Sequence, residues 1–162
     1  LLIPPGCVVA VGLASEAALL PPGTRVVVSG GDPARLDALL AALPDDVIGV
    51  LSFGIAGGLA PGVRGGDVLV ADALHAERVH APDAAWSASI ARQTGARCGP
   101  LAASETLLPD PAAKRALHAQ TGALAVDMES GAVARFAAWR GLPFAVLRAV
   151  ADGPEDALPH AA

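Results

Sequence analysis

Residues 123–152 constrain the fold of this chain more than any other stretch, because they read in direct succession as a short strand, a helix and a buried strand. With Glu129 in the first turn of the helix, Ala132, Val133, Phe136 and Ala137 follow at i+3, i+4, i+7 and i+8, which is one helical face. Gly141 and Pro143 stand where a helix stops. Phe144 to Val150 is a nearly unbroken apolar run, the pattern of a strand covered on both faces. Two acids interrupt this logic. Glu129 falls on the apolar stripe, and Asp152 comes just past the C-terminal end of the buried strand. An unpaired buried carboxylate costs roughly several kcal/mol, so each acid needs a partner or a task. Ligands of open α/β sheets bind at the carboxyl ends of strands, which is where these two acids fall.

The rest of the chain repeats the strand–helix alternation. Cys7 to Leu13 reads as a strand, followed by a short helix from Ala14 through Glu16 to Leu20. Arg25 to Ser29 is a second strand. Asp32 is a good helix N-cap with Pro33 at the first helical position, and Leu36, Leu39, Leu40 and Leu43 mark the buried face that follows. Val47 to Phe53 is a third strand, running into Gly54-Ile55-Ala56-Gly57-Gly58, read as a glycine loop, and a further strand spans 65–72. His75 to Pro82 reads as a loop, Asp83 to Thr94 as a helix and Ser104 to Pro109 as a strand end and loop; Asp110 and Pro111 open a helix through His118. This order predicts an α/β fold with a central mixed, largely parallel sheet flanked by helices. No internal repeat, low-complexity segment or linker divides the chain, so residues 1–162 read as a single domain, long enough for a real core.

Composition removes several classes of function. A net charge of −5 with no basic cluster argues against a nucleic-acid surface. Arginine outnumbers lysine so heavily that Lys114 is the single lysine of the chain. Cys7 and Cys98 are far apart, without CxxC context, and read as reduced packing residues. No basic segment precedes the apolar start, the first arginine being Arg25, and no apolar run reaches the ~18–20 residues of a membrane span. The expectation is a soluble cytoplasmic protein. His75, His80, His118 and His160 lack metal-ligand spacing and no cysteine joins them, so no metal site is expected.

Residue by residue, the remaining signals are modest. The glycines at 54–58 would let backbone N–H groups approach a ligand, and would serve a tight turn equally well. The stretch is neither GxGxxG nor a P-loop, and GxSxG is absent around Ser130. Taken alone, Glu16 reads first as a solvated helix-start residue, Asp127 as a helix cap and Met128 as core. Glu129 and Asp152 are weighted toward function by the burial argument.

Three segments, in this order, carry a resemblance. They are Val-Gly-Leu-Ala-Ser-Glu-Ala-Ala-Leu-Leu (11–20), Ser-Phe-Gly-Ile-Ala-Gly-Gly-Leu-Ala-Pro with Gly-Asp-Val-Leu-Val-Ala-Asp (52–61, 66–72), and Val-Asp-Met-Glu-Ser-Gly-Ala-Val-Ala with Leu-Arg-Ala-Val-Ala-Asp (126–134, 147–152). Together they resemble the purine nucleoside/uridine phosphorylase superfamily, especially its 5′-methylthioadenosine/S-adenosylhomocysteine nucleosidase branch. Residues 147–162 and the Asp-Met-Glu-Ser stretch look most like the hopanoid-associated phosphorylase group, linked to removal of adenine from adenosylhopane. The resemblance implies a nucleoside phosphorylase-like three-layer fold, with a C-terminal helix that the present sequence does not include.

It also implies roles. Glu129 would hold the ribose 2′- and 3′-hydroxyls with Met128 beneath the sugar. Asp152 would share a proton with N7 of the leaving purine, and Glu16 would orient or deprotonate the attacking water. Gly54, Ile55, Ala56 and Gly57 would line the nucleophile side, and Leu107 and Leu108 would meet the base. Chemistry agrees: an oxocarbenium-like transition state needs a leaving-group acid and a positioned nucleophile, and one carboxylate can accept two diol hydrogens. Low polarity around Ala149, Val150 and Ala151 would keep a proton on Asp152. No cofactor is implied, phosphate being a co-substrate only if the enzyme is a phosphorylase.

Departures from the family's pattern shape the choice among functions. Ser52 and Ile55 stand where the phosphorylases carry the Arg and Ser that hold phosphate, which favours hydrolysis. Arg25, Arg35, Arg64 or an arginine of a partner subunit keep phosphorolysis as the alternative. Leu107 replaces an aromatic and removes stacking on the base. The segment around 76–83 is short against the nucleosidases, so the family's usual lid is either missing or opened for a bulkier 5′ substituent. The expected reaction is cleavage of the N-glycosidic bond of a 5′-substituted adenosine, first of all adenosylhopane. A homodimer is implied, with brief membrane proximity if the substrate is a hopanoid lipid. A non-catalytic nucleoside-binding protein is the third reading, and the three acids together weigh against it.

Overall fold

The computed structural model describes residues 2–157. His160 and the tail of the 147–162 resemblance lie outside them. In chain order the elements are β1 (Cys7–Val11), α1 (Ala14–Ala17), β2 (Arg25–Val28), α2 (Pro33–Ala41), β3 (Gly49–Gly58), β4 (Val68–His75), β5 (Val79–His80), α3 (Ala84–Thr94), β6 (Arg97–Ala103), α4 (Pro111–Thr121), β7 (Ala125–Asp127), α5 (Ser130–Arg140) and β8 (Phe144–Asp152). The α/β expectation of a mixed, largely parallel sheet between helices is met.

β3 is the spine of the sheet. It runs parallel to β1 on one side and to β8 on the other, and its last residues pair antiparallel with β7, Gly57 opposite Val126 and Gly58 opposite Ala125. β8 continues antiparallel to β4, β4 runs parallel to β6, and β6 runs parallel to β7. The path β3–β8–β4–β6–β7 therefore returns to β3, closing part of the sheet on itself, while β1 and β2 extend it beyond β3.

The helices form where the sequence supplies caps. Asp32 accepts hydrogen bonds from the backbone N–H groups of Ala34 and Arg35, with Pro33 opening α2. Asp83 caps α3 through Trp86 N at 2.8 Å and Asp110 caps α4 through Ala113 N at 2.8 Å. On one side of the sheet Leu36 and Leu40 of α2 join Val133, Phe136 and Ala137 of α5 in a single core with Val8, Val50 and Val146. On the other side Trp86 and Ile90 of α3 pack with Val9, Leu51 and Leu147. Each fully buried aliphatic or aromatic side chain contributes roughly 1.5–3 kcal/mol.

Several expectations about this frame need correction. The stretch 54–58 is not a loop, because β3 runs through it to Gly58, held in register by β8 as far as Gly57 opposite Asp152 with an irregularity between Ala56 and Gly57. His75 to Pro82 is not all loop, since β4 runs through His75 and Val79–His80 pair back on it as β5, and residues 97–103, given no element above, form β6. Cys7 is buried, and burial pushes its thiol up from the usual range; Cys98 is exposed and is no packing residue. Among the described residues no helix is long and apolar enough to cross a membrane.

Candidate active site

Each of the three acids singled out above stands at or just past the C-terminal end of a strand. Glu16 sits in α1, the turn of helix that leaves β1. Its Oε2 accepts hydrogen bonds from Gly12 N (2.9 Å) and Leu13 N (2.8 Å), the reach-back that an acid at the third helical position makes to a helix start. Its Oε1 accepts from Ile55 N at 3.0 Å, so one side chain ties the β1–α1 corner to the spine strand. Glu16 is 7% exposed, which overturns its reading as a solvated residue.

Glu129 is displaced from the position expected of it. Helix α5 begins at Ser130, and Glu129 is its N-cap rather than a member of the apolar stripe. Capping is done by Asp127, whose Oδ1 accepts from the backbone N–H groups of Glu129 (2.8 Å) and Ser130 (2.7 Å), while Oδ2 accepts from the Ser130 hydroxyl (2.7 Å). That leaves the Glu129 carboxylate out of the cap, with Arg148 Nη2 at 3.8 Å from its Oε2. Burial raises its pKa above the ordinary value; Arg148 opposes this, and the charges of Asp127 and Glu16 add to it.

Glycine lets the two glutamates meet. A Cβ on Gly12 would fall 2.7 Å from Glu129 Oε1 and 3.5 Å from Glu16 Oε2. Gly54 has φ +154°, and a Cβ there would strike Glu16 Oε1 at 2.6 Å and Arg148 Nη1 at 2.8 Å. Gly12 and Gly54 thus keep the floor of the site thin.

Asp152 is the last residue of β8. Its Oδ2 is held by the ammonium of Lys114, which also donates to the backbone carbonyls of Gly153 (2.9 Å) and Asp156 (2.8 Å). The apolar surroundings expected for this acid are not found. Ala149 and Ala151 are exposed, and the nearest group is a buried cation brought from α4.

A cleft of ≈ 410 Å³ joins these groups. Glu16, Ile55, Ala56 and Gly57 line one side, Met128 and Glu129 another, and Leu107, Leu108, Lys114 and Asp152 the end near α4. Every residue expected at the site borders it except Gly54, which lies beneath. Arg25, Arg35 and Arg64 do not line it; Arg25 pairs instead with Asp46 at 3.0 Å. Among the described residues no group of three or more His, Cys, Asp or Glu is arranged to hold a metal.

Comparison with known proteins places this geometry in context. Residues 26–162 match the phosphorylase superfamily. The futalosine hydrolase of Streptomyces coelicolor is 35% identical over 170 residues, covering 85% of this chain and 71% of the relative. The chain belongs to the phosphorylase superfamily. Solved structures within reach of its fold include the 5′-methylthioadenosine/S-adenosylhomocysteine nucleosidases of Streptococcus pneumoniae (TM-score 0.79, 21% identity, 92% of this chain and 86% of that one) and Helicobacter pylori (TM-score 0.78, 20% identity, 92% and 85%). The expectation of an enzyme agrees with these relatives, all described as hydrolases or nucleosidases. None of them points to the hopanoid-associated group.

In this superfamily member the cleft contains more than sequence reasoning found. Arg148 is fully buried in the middle of β8, with Nη2 donating to Ser52 Oγ and to Asp127 Oδ1 (3.1 Å) and standing 3.8 Å from Glu129 Oε2. Its Nε and Nη1 have no partner among the described residues. The signal was present: a charged side chain inside an otherwise apolar strand obeys the same burial rule that exposed Glu129 and Asp152. Ser52, considered only as a missing phosphate ligand, is buried as a rest for this guanidinium. Lys114 carried no local signal, being one basic residue on a helix with few apolar positions.

Proposed function

We propose that this enzyme hydrolyses the N-glycosidic bond of a 5′-substituted adenosine, releasing adenine. The observation that carries the reading is the charge census of the cleft. Four carboxylates (Glu16, Asp127, Glu129 and Asp152) gather around it against two cations, and both cations are already engaged by carboxylates. A phosphate dianion entering beside Glu16 and Glu129 meets net negative charge, and the unpartnered nitrogens of Arg148 lie buried beneath Gly54 rather than on the cleft wall, whereas a neutral water is welcome there. Hydrolysis follows.

In this mechanism Glu129 accepts hydrogen bonds from the ribose 2′- and 3′-hydroxyls. As the C1′–N9 bond breaks, its electron pair passes to the purine, and Asp152, which takes a proton from solvent as the substrate binds, gives it to N7. Water adds to the oxocarbenium-like C1′ and loses its proton toward Glu16. Two of these groups act at the sugar and the third at the departing base.

The 5′ substituent is read as large and apolar. Leu13, Ile55 and Leu107 line the cleft yet are 47%, 49% and 67% exposed, an apolar mouth that suits a hydrocarbon tail such as that of adenosylhopane. A second subunit completing the wall near Leu107, and approach to a membrane to collect a lipid substrate, belong to the same proposal.

The test is chromatography of adenine released from adenosylhopane, 5′-methylthioadenosine and adenosine, and of free base from futalosine, with and without phosphate. Release without phosphate, fastest from adenosylhopane, is expected. Strict dependence on phosphate overturns hydrolysis, and preference for futalosine or a short 5′ group overturns the hydrocarbon substrate.

A further inference from the structure

Among the described residues the chain's single lysine is the one cation on the cleft wall, Arg148 lying beneath it, and this lysine is buried. Lys114 is 1% exposed, and its three ammonium hydrogens face three oxygens: Asp152 Oδ2, Gly153 O and Asp156 O. A compact ammonium with three rotatable donors fits this trio, where the planar fork of arginine does not.

Stability alone is a poor reason for such a pair. Desolvating two charges largely cancels their attraction, and well-packed apolar residues do as well. The geometry does something else. With Oδ2 gripped from the α4 side, Asp152 keeps Oδ1 free; no described residue donates a hydrogen bond to it, and the residue lines the cleft. The carboxyl rotor is fixed, with one oxygen for the protein and one for a ligand. Lys114 also lies one turn into the helix that follows Leu107 and Leu108, so the same side chain ties the acid to the segment expected to meet the base.

The geometry points to Lys114 as a positioning residue for leaving-group departure: it holds Asp152 so that a single carboxyl oxygen faces the purine. This rests on the N-glycosidase reading above. No bond to Lys114 forms or breaks; the proton that reaches N7 comes from Asp152, and the electron pair of C1′–N9 stays on the departing base.

The test compares two leaving groups. Adenine needs a proton to depart, while 4-nitrophenolate does not, so 4-nitrophenyl β-D-ribofuranoside reports the ribose and water half of the site alone. In Lys114→Met, adenine release from the adenosine compound that the wild-type enzyme cleaves fastest is expected to fall about 10²-fold or more, with nitrophenolate release within about tenfold of wild type. Lys114→Gln keeps hydrogens for the Gly153 and Asp156 carbonyls, and carries the same reading if Lys114→Met does not fold. Lys114→Arg, which keeps the charge, is expected to recover part of the adenine rate. Equal loss with both leaving groups in each folded variant, or no loss with either, overturns the role of Lys114 while leaving the N-glycosidase intact. Absence of base release by the wild-type enzyme overturns the underlying reading instead.

Discussion

Arg148 and Asp127 form a buried ion pair, their side chains 0% and 1% exposed, Nη2 to Oδ1 at 3.1 Å, at the floor of the cleft. Asp127 is also the cap of α5, so the guanidinium, the helix start and Glu129 are one assembly. Removing the cation strands a buried carboxylate, and Arg148→Met is expected to lose about 3–5 kcal/mol of stability in urea unfolding. Asp127→Asn still offers an oxygen to the helix N-terminus, and in the Arg148→Met background it is expected to recover part of that loss. A coupling of about 0.5–3 kcal/mol in the double-mutant cycle is the expected signature, and simple additivity would mean that the pair is not a unit.

Glu129 makes a prediction with a definite sign. Burial raises its folded pKa, so the native state binds this proton more readily than the unfolded chain. The associated stability is present below the unfolded value, about 4.3, and is lost as pH rises through the folded value. Glu129→Gln, neutral at every pH, should therefore be more stable than wild type near neutrality, with the gap closing in acid. Function runs the other way. Gripping the ribose diol needs the anion, so the acid limb of kcat/KM is expected above the ordinary carboxylate range. The Gln variant should also lose about 10- to 100-fold of the preference for ribose over 2′-deoxyribose, the worth of a charged hydrogen bond. A pH series of unfolding midpoints and paired kinetics on the two sugars measure both.

What the sequence disclosed and what it hid follow from the range of the forces involved. Asp32, Asp83 and Asp110 were legible because a cap is settled within three residues. Glu129 and Asp152 were legible as oddities of burial, although the turn made by Asp127 moved Glu129 from stripe to cap. The glycines at 54–58 were misread because their neighbours suggest a turn, and only the register with β8, close to a hundred positions away in the chain, makes them strand. Lys114 reaches across to Asp152, a partner from another element that no local pattern announces. Arg148 is a different failure: the burial rule applied to acids was not applied to a base in the same strand.

Gly54 tests whether the floor of the site must be bare. Its φ of +154° and the 2.6 Å approach of a Cβ to Glu16 Oε1 mean that Gly54→Ala strains the backbone and pushes against Glu16 and Arg148 together. A stability loss of about 1–3 kcal/mol is expected from the backbone, with a fall in kcat/KM from the displaced glutamate. Gly57→Ala is the comparison, since its Cβ would meet nothing nearer than 3.6 Å. Equal effects at the two positions would remove the special standing of Gly54. Thermal melts and steady-state kinetics on the same preparations separate strain from misplacement.

Asp152→Asn asks whether the acid is needed for the chemistry or only for the shape of the cleft. Asparagine keeps the size of the side chain and an oxygen for Lys114, and its amide can still bond to the purine, so nucleoside binding should change little. It has no acidic proton to give N7. The kcat is therefore expected to fall about 10²–10⁴-fold with KM within a few-fold, the split of a group that acts in the transition state rather than in binding. Calorimetric titration with adenine and single-turnover rates read the two halves separately. Binding and turnover lost together would mean that the asparagine releases Lys114 and the end of the cleft, and would reduce Asp152 to a structural partner of the lysine.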